Sequence, residues 1–478
     1  MTIEGISLKG SAQRIYGVGT LTYTKAALAM LFFWLLAGDF VYIIIQQIEP
    51  RILPVLLKQH GASDQQIAII AGSIPAFMNF CINPVVSYRS DRTRSKWGRR
   101  IPYLVVATPF VSVFLAAIPF GTGLARHAVN LSWLGGLFAL SPWAPVMLMF
   151  ALLVIFYESA QMVITPIYIY LFRDVVPIEF MGRFLALMRV FSALGTFAIN
   201  YWLVGLVETH AKAIFLALAA LNLVCFILVC CFVREGEYPP VSDVVHVDEG
   251  TAHSSLYRAS LNFIRESFTS RVYWWTYIAR LLIYSSIPMS GFLIFFAQRE
   301  VGLGFDQAGK FLAWPSLAWV VVAYPIGLLM DKWRAVRALT VALWISAVAY
   351  TLSFFFVVGA KTFFVSSMLT GVTYWMIMLG QILLAQEVFS RERMGQLCAA
   401  NTMIQSLVIA CITGPLTGWL LSMLQNVHYS WQLPFVGAVE LGPYRFVNLL
   451  LAGVLFLSLF AIYRLRRALV GYLPARSQ

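Results

Sequence analysis

Charged and hydrogen-bonding side chains recur at helical spacing inside stretches that are otherwise apolar. Asp39, Tyr42, Gln46 and Glu49 stand at i, i+3, i+7 and i+10, and Glu158, Gln161, Thr165 and Tyr168 repeat that spacing. Each set forms one stripe along a helix face. Arg280 and Tyr284 share another face with Pro288 a turn beyond, a further stretch offers Thr370, Thr373, Tyr374 and Gln381, and Arg189 stands in a fifth. A charge at the centre of a lipid bilayer costs about 2.5–3.5 kcal/mol, so Asp39, Glu158, Arg189 and Arg280 would together cost roughly 10 kcal/mol against lipid. They are expected to face a wet cavity or one another. Structural ion pairing, or snorkelling to the interface, is the plainer reading and weighs most for Arg280 and Glu49. Carboxylate, guanidinium and amide groups converging on one cavity suit a small polar, hydrogen-bonding solute. Enzymatic chemistry lacks a constellation: HExxH, GxSxG and GxxxxGK[ST] do not occur, and the six His lie in loops or the central linker without metal-ligand spacing. No enzyme activity, cofactor or bound metal is expected.

The elements that must hold these groups follow from composition. Of 478 residues, 60% are hydrophobic and 12% charged, with a mean hydropathy of +0.78, whereas soluble domains run about 45–50% apolar and about 25% charged. At about 20 apolar residues per crossing, the chain is an all-α polytopic membrane protein. Twelve transmembrane helices are predicted near 26–57, 65–88, 103–120, 144–172, 184–208, 213–233, 273–297, 307–330, 338–359, 362–386, 396–424 and 446–463. The first is too long for one straight crossing, and Pro50 and Pro54 are expected to kink its outer part. Cys81, Cys225, Cys230, Cys231, Cys398 and Cys411 all fall in apolar runs, where they serve as small hydrophobes rather than as a disulfide framework.

The net charge of +13 raises the possibility of a nucleic-acid partner, and the placement of the bases removes it. With both ends on one side, 24 of the 34 Lys and Arg lie on that side, 8 on the other, and Arg189 and Arg280 lie within spans. A three-to-one bias places both termini in the cytoplasm, with membrane lipid as the surrounding partner. Residues 1–25 lack the apolar core and small-residue cleavage site of a signal peptide.

The chain divides in the middle. Residues 234–272 form the longest polar stretch, with Arg234, Glu235, Glu237, Asp243, Asp248, Glu249 and Pro239-Pro240, and separate six spans from six. The expected organisation is a cytoplasmic segment 1–25, a six-helix bundle 26–233, a cytoplasmic linker 234–272, a six-helix bundle 273–465 and a cytoplasmic tail 466–478. Within the linker, 254–271 spaces Leu256, Leu261 and Ile264 beside Arg258 and Arg265, as a helix lying on the membrane surface or a solvated helix would. Internal repeats support the division. DVVPIEFMGRFLAL at 174–187 recurs as EVFSRERMGQLCAA at 387–400, pairing Asp174 with Glu387 and Gly182 with Gly395. More loosely, Pro84 and Asp91 close span two as Pro325 and Asp331 close span eight. Two pseudo-symmetric bundles with matched loops are the signature of a transporter built from repeats, with its site at their interface near the midplane.

The stretch NPVVSYRSDRTRSKWGRRIPY at 83–103 resembles the major facilitator superfamily, and within it the glycoside-pentoside-hexuronide cation symporters (melibiose permease-like) and the related sucrose transporters. On physical grounds Asp91 can cap a short helix and face a helix N-terminus, Gly98 permits a tight turn, and Pro102 suits the first turn of span three. The resemblance implies that this loop joins a charge network favouring one conformer of a rocking cycle. That gating role is assigned to Asp91, Arg92, Gly98 and Arg99, and on the repeats to Asp174, Gly182, Asp331, Glu387 and Gly395.

Gly38-Asp39-Phe40 resembles the first-span segment whose aspartate binds sugar in melibiose-type permeases, and Arg189 within MRVFSALG resembles their fifth-span sugar-binding arginine. A carboxylate and a guanidinium can each take two sugar hydroxyls. The fourth-span aspartate of those permeases falls on Ile164, and 396–424 contains no Lys to match their eleventh-span lysine. Glu158 substitutes as the acid of that span, and Tyr168 matches a position that holds a stacking aromatic. The substrate-binding set is then Asp39, Tyr42, Glu158, Gln161, Tyr168, Arg189, Arg280 and Tyr284. The two second-span aspartates of sodium-coupled members are here Asn79 and Asn83, a vestigial cation site that lacks the charge to hold a cation strongly. Coupling is expected to use a proton at Glu158 or Asp39, rather than Na+, or to be absent, and a Glu158–Arg189 pair would link protonation to conformation. The reading is a monomeric secondary active transporter of a sugar or glycoside in a plasma membrane, the inner one in bacteria. The alternatives are a facilitator or exporter of another metabolite, including an amphiphile efflux pump, and a non-transporting sensor or assembly factor of the same fold.

Overall fold

In the computed structural model the apolar runs form helices, as backbone N–H and C=O groups in lipid must be satisfied within their own segment. The structure describes residues 16–18, 20–130, 144–236, 268, 270–333, 335–389, 394–425, 429–433 and 437–472. The 254–271 helix lies almost entirely outside the described residues. Eleven helical stretches are long and apolar enough to cross a membrane. They are α1 (Lys25–Gln59), α2 (Asp64–Arg92), α3 (Ile101–Val129), α4 (Pro145–Val175), Ile178–Phe232, α7 (Arg271–Arg299), α8 (Phe305–Met330), α9 (Ala335–Phe356), α10 (Ala360–Val388), α11 (Gln396–Leu424) and α12 (Pro443–Leu469). The 55 residues of Ile178–Phe232 would span about 80 Å as one helix. The chain reverses there at His210, whose φ of −127° and ψ of 26° are non-helical, giving α5 (178–209) and α6 (211–232) and twelve crossings in two six-helix halves.

Two findings depart from the all-α expectation. A short hairpin, β1 (Tyr16–Val18) and β2 (Leu21–Tyr23), precedes α1, and a second, β3 (Tyr429–Leu433) and β4 (Gly437–Leu441), joins α11 to α12. The loop expected at 121–143 begins as helix, since Gly121–Asn130 continues α3. Glu235, at the start of the expected linker, docks on the N-terminal half.

Proline sets the helix irregularities. π-helical turns occupy Ile48–Ile52, Ile69–Ser73 and Ile409–Thr413, each ending two residues before a proline: Pro54, Pro75 and Pro415. A proline ring crowds the carbonyl four residues back, and one wider turn relieves that contact. A fourth such turn, Ile199–Leu203, has no proline after it.

One face of the molecule carries β1, Thr93–Arg100 and the start of α5, and is called here the Gly98 face. The opposite, Asp64 face carries the α1–α2 turn and the start of α8. At the Asp64 face the halves close on each other through glycines. A Cβ on Gly418 would lie 2.6 Å from Gln65 Cα, one on Gly205 2.7 Å from Asp306 Cα, and one on Gly309 2.5 Å from the Asn200 carbonyl. Missing side chains let α2 meet α11 and α5 meet α8 at backbone distance.

Candidate functional site

A cavity of about 1480 Å³ lies between the halves. Gly17, Val18, Arg173, Val176 and Ile178 border it toward the Gly98 face, and the packed glycines end it toward the Asp64 face. The structure is therefore open on the Gly98 side and shut on the other.

Asp39, Tyr42, Glu158, Gln161, Tyr168, Arg189, Arg280 and Tyr284 all line this cavity. Asp39, only 1% exposed, accepts a 3.4 Å hydrogen bond from Ser192 Oγ and interacts electrostatically with Arg189. Glu158, 2% exposed, shares the cavity with Glu49 and Arg189; among the described residues Arg189 forms no ion pair with either Asp39 or Glu158, so the expected Glu158–Arg189 pair is not formed. Tyr42 accepts a 2.5 Å hydrogen bond from Gln46 Nε2. Tyr168 donates to the Leu35 carbonyl at 2.7 Å and is packed against Phe172 and Phe226 with 0% exposure. Its hydroxyl braces α4 on α1 and its ring face is covered. Several polar atoms of the lining are buried without a hydrogen-bond partner: Glu158 Oε2, Gln161 Nε2, Arg51 Nε, Gln405 Nε2, and Arg280 Nε with one terminal nitrogen. Such groups are rare in native interiors.

Asn79 and Asn83 form a ladder. Asn79 donates to Ser406 Oγ at 3.1 Å, Asn83 to Asn79 Oδ1 at 3.0 Å, and Ser87 to Asn83 Oδ1 at 3.2 Å. Both side-chain oxygens accept from neighbours, and the Asn79–Ser406 bond joins α2 to α11.

At the Gly98 face Asp174 accepts from Arg99 Nε at 3.0 Å and from an Arg99 terminal nitrogen at 2.6 Å, and from Arg100 Nε at 3.2 Å. Arg100, 3% exposed, also pairs with Asp91 at 2.5 Å and donates to Ser90 Oγ. Glu235 accepts the backbone N–H groups of Arg99, Arg100 and Ile101 at 2.9, 2.7 and 2.7 Å, capping α3 against its dipole. Gly98 has φ +102°, and a Cβ there would lie 2.6 Å from the Glu235 side chain, so turn and close approach both require glycine. Arg92 stacks on Tyr88, 3.7 Å from the ring centroid. In the second half Glu387 accepts the Ala335 N–H at 3.1 Å at the start of α9. Gly182 lies in α5, where a Cβ would meet nothing within 4 Å. The Asp331 side chain and the surroundings of Gly395 lie outside what the structure describes.

Sequence reasoning named Arg99 but passed over Arg100, the more buried partner, and left Glu235 in the linker. It also missed the closure at the Asp64 face. Asp64, fully buried, binds Lys58 at 2.6 Å in its own half and Gln425 and Tyr444 of the other half, each at 2.8 Å. The available signal was local: Ser63 and Gln66 form a capping box that fixes where α2 starts. Beside it, burial raises the carboxyl pKa of Glu300 above the usual carboxylate range, although Arg445 donates its N–H at 2.8 Å.

A profile of the Major Facilitator Superfamily matches residues 125–415. The chain belongs to that superfamily, and with this fold it is a transporter rather than an enzyme. No curated protein matches the sequence. Among solved structures it is similar to a bacterial homolog of the human lysosomal transporter Spinster in an inward-facing conformation, with 14% identity over 93% of this chain and 96% of that one and a TM-score of 0.61. It is also similar to the nucleoside transporter NupG, with 10% identity over 91% and 98% and a TM-score of 0.59. A bacterial homologue of the iron transporter ferroportin, inward-facing, matches at 14% identity over 92% and 99% with a TM-score of 0.59. At such identities the likeness is one of fold.

Proposed function

We propose that this protein is a proton-coupled secondary transporter of a sugar or glycoside, working as a monomer in a plasma membrane, the inner one in bacteria, with both termini and the Gly98 face in the cytoplasm. The halves, 26–233 and 273–465, rock about the central site, and the structure then represents the inward-open state. The observation that carries the reading is the convergence of Asp39, Arg189, Glu158 and Gln161 on one cavity, with buried polar atoms of Glu158 and Gln161 unpartnered. Asp39 and Arg189 offer a carboxylate and a guanidinium within one cavity to a solute's hydroxyls, which supports placement in the glycoside-pentoside-hexuronide or sucrose-transporter branch. Glu49 and Glu158, two acids on one cavity, support proton coupling: neighbouring carboxylates repel when both are ionised, and protonating one relieves the repulsion. Asn79 and Asn83, uncharged and bonded to neighbours, supply no charged sodium site.

Uptake of radiolabelled sugars and glycosides into proteoliposomes under imposed gradients tests the proposal. A pH gradient, acid outside, is expected to accelerate uptake, and Glu158→Gln to abolish that acceleration. Acceleration by a sodium gradient alone would overturn proton coupling. Binding that survives both Asp39→Asn and Arg189→Gln would overturn the sugar site.

A further inference from the structure

Arginines at the Gly98 face are neutralised in one half of the molecule and bare in the other. In the first half Asp174 holds Arg99 and Arg100, and Asp91 holds Arg100 as well. In the second half α7 and α9 both pack on α12, and none of these three helices contains an Asp or Glu. Arg271 opens α7 at this face, and Arg464, Arg466 and Arg467 stand in the last turns of α12, all of them exposed. Arg466 donates to Thr340 Oγ1 of α9 at 3.1 Å. None of the four makes an ion pair among the described residues.

Two of these guanidinium groups are held in place without being neutralised. Arg464 lies 5.2 Å from the ring centroid of Trp275 on α7, and Arg467 lies 4.6 Å from that of Tyr463. A ring face attracts a cation through its quadrupole and supplies no negative charge, so the N–H donors remain for an anion. Arg464 and Arg467 are three residues apart and Arg271 and Trp275 four, so each pair shares a helix face. The stacking of Arg464 on Trp275 joins the two faces into one seam. Toward the membrane the seam continues as an apolar ridge: Trp275 meets Phe460 edge-on at 6.3 Å, and Phe460, Leu457 and Phe456 are exposed.

We propose that the seam between α7 and α12 binds an anionic phospholipid, its phosphate taken by Arg271, Arg464 and Arg467 and its chains lying along Phe460 and Leu457. The site is separate from the central cavity and does not depend on which solute is carried. Charge and shape together select the occupant, since basic pockets between membrane helices attract anionic headgroups and the ridge below them takes hydrocarbon. A soluble phosphate would use the arginines and leave the ridge uncovered. A zwitterionic lipid would cover the ridge and bring a cation to the arginines.

The test is the thermal midpoint of the delipidated full-length protein in a nonionic detergent, titrated with phosphatidylglycerol, phosphatidylcholine or inorganic phosphate, since a ligand that binds only the native state raises the midpoint by mass action. Phosphatidylglycerol is expected to stabilise at a concentration about tenfold below that needed by phosphatidylcholine, and inorganic phosphate not at all. The preference is expected to disappear when Arg464→Gln and Arg467→Gln are combined, to persist when both are changed to Lys, and to be unaffected by Arg234→Gln at the end of α6. Phosphatidylglycerol with a photoactivatable chain is expected to label the wild type on the α7 and α12 segments around Trp275 and Phe460, a measurement that stands if a variant fails to fold. Equal stabilisation by the two lipids, a preference that survives the double Gln variant, or labelling confined to other helices would overturn the proposal. Inorganic phosphate matching phosphatidylglycerol would overturn it in favour of a soluble-anion site.

Discussion

All three carboxylates of the cavity, Asp39, Glu49 and Glu158, come from the first half, whereas the second half lines it with Arg280, Tyr284, Tyr374, Gln405 and no acid. At the Gly98 face the two halves use like groups: Asp174 engages two arginine side chains, and Glu387, its counterpart by the internal repeat, accepts a backbone N–H at the start of α9. Repetition supplied the container and divergence assigned the chemistry. One position shows why the second half could not keep the acid. The repeat offset carries Glu158 onto Gly371, where any Cβ would collide with Pro315. The same offset carries Gln161 onto Tyr374, which places an aromatic hydroxyl where the first half has an amide.

The comparison can be broken in four ways. Arg100→Met removes the buried guanidinium that joins Asp174 to Asp91 and Ser90 and is expected to lower stability by about 3 kcal/mol, whereas Arg92→Met, which loses a stacking contact on Tyr88, is expected to cost less than about 1 kcal/mol. Denaturant unfolding in micelles measures both, and equal losses would remove the special place of Arg100 in the network. Glu158→Gln is expected to reduce gradient-driven uptake roughly a hundredfold, about 2.7 kcal/mol. Tyr374→Phe, which removes one hydroxyl, is expected to reduce it by less than about tenfold, near 1 kcal/mol. A larger loss at Tyr374 would move the coupling centre to the second half.

The third contrast is between faces. Gly418→Val places side-chain atoms against Gln65 and Ala68 and is expected to disfavour the closed Asp64 face by about 1–3 kcal/mol, whereas Gly182→Val meets open space and is expected to leave this conformer unchanged. Spin-label distances across the Asp64 face should lengthen for the first and stay fixed for the second. The smallest effect concerns pH. The carboxyl pKa of Glu300 is raised by burial, so the folded state holds its proton more tightly than the unfolded state does. That contribution to stability is present below the ordinary glutamate range and is lost as pH rises through the folded value. A thermal midpoint for Glu300→Gln that falls as steeply as the wild type's over this interval would exclude Glu300 as the cause.

Much of the architecture was legible because it is local. Most apolar runs became helices within a few residues of their expected ends, the third running about ten residues further, and Pro54 and Pro75 distort helices at positions a reader of the chain can mark. The polar stripes of α1 and α4 were legible too, since helical periodicity puts Asp39 with Tyr42 and Glu158 with Gln161 whatever the neighbours. Arg100 was missed beside Arg99 because adjacent positions in a turn differ only in which one the fold buries. Asp64 was missed because its partners Gln425 and Tyr444 lie more than 350 residues away.

The sequence by itself determined a twelve-span chain of two related halves, with a few charges that lipid would reject. Hydrogen bonding within each helix and the exclusion of charge from hydrocarbon act segment by segment and need no knowledge of the partner. Only the tertiary structure decided which groups share a cavity: Asp39 and Arg189, Glu158 and Glu49, and Arg51 with Tyr374 of the second half. Those choices depend on how each helix is rotated and tilted against its neighbours, which the glycine contacts and π-helical turns set jointly, and no single segment contains that information.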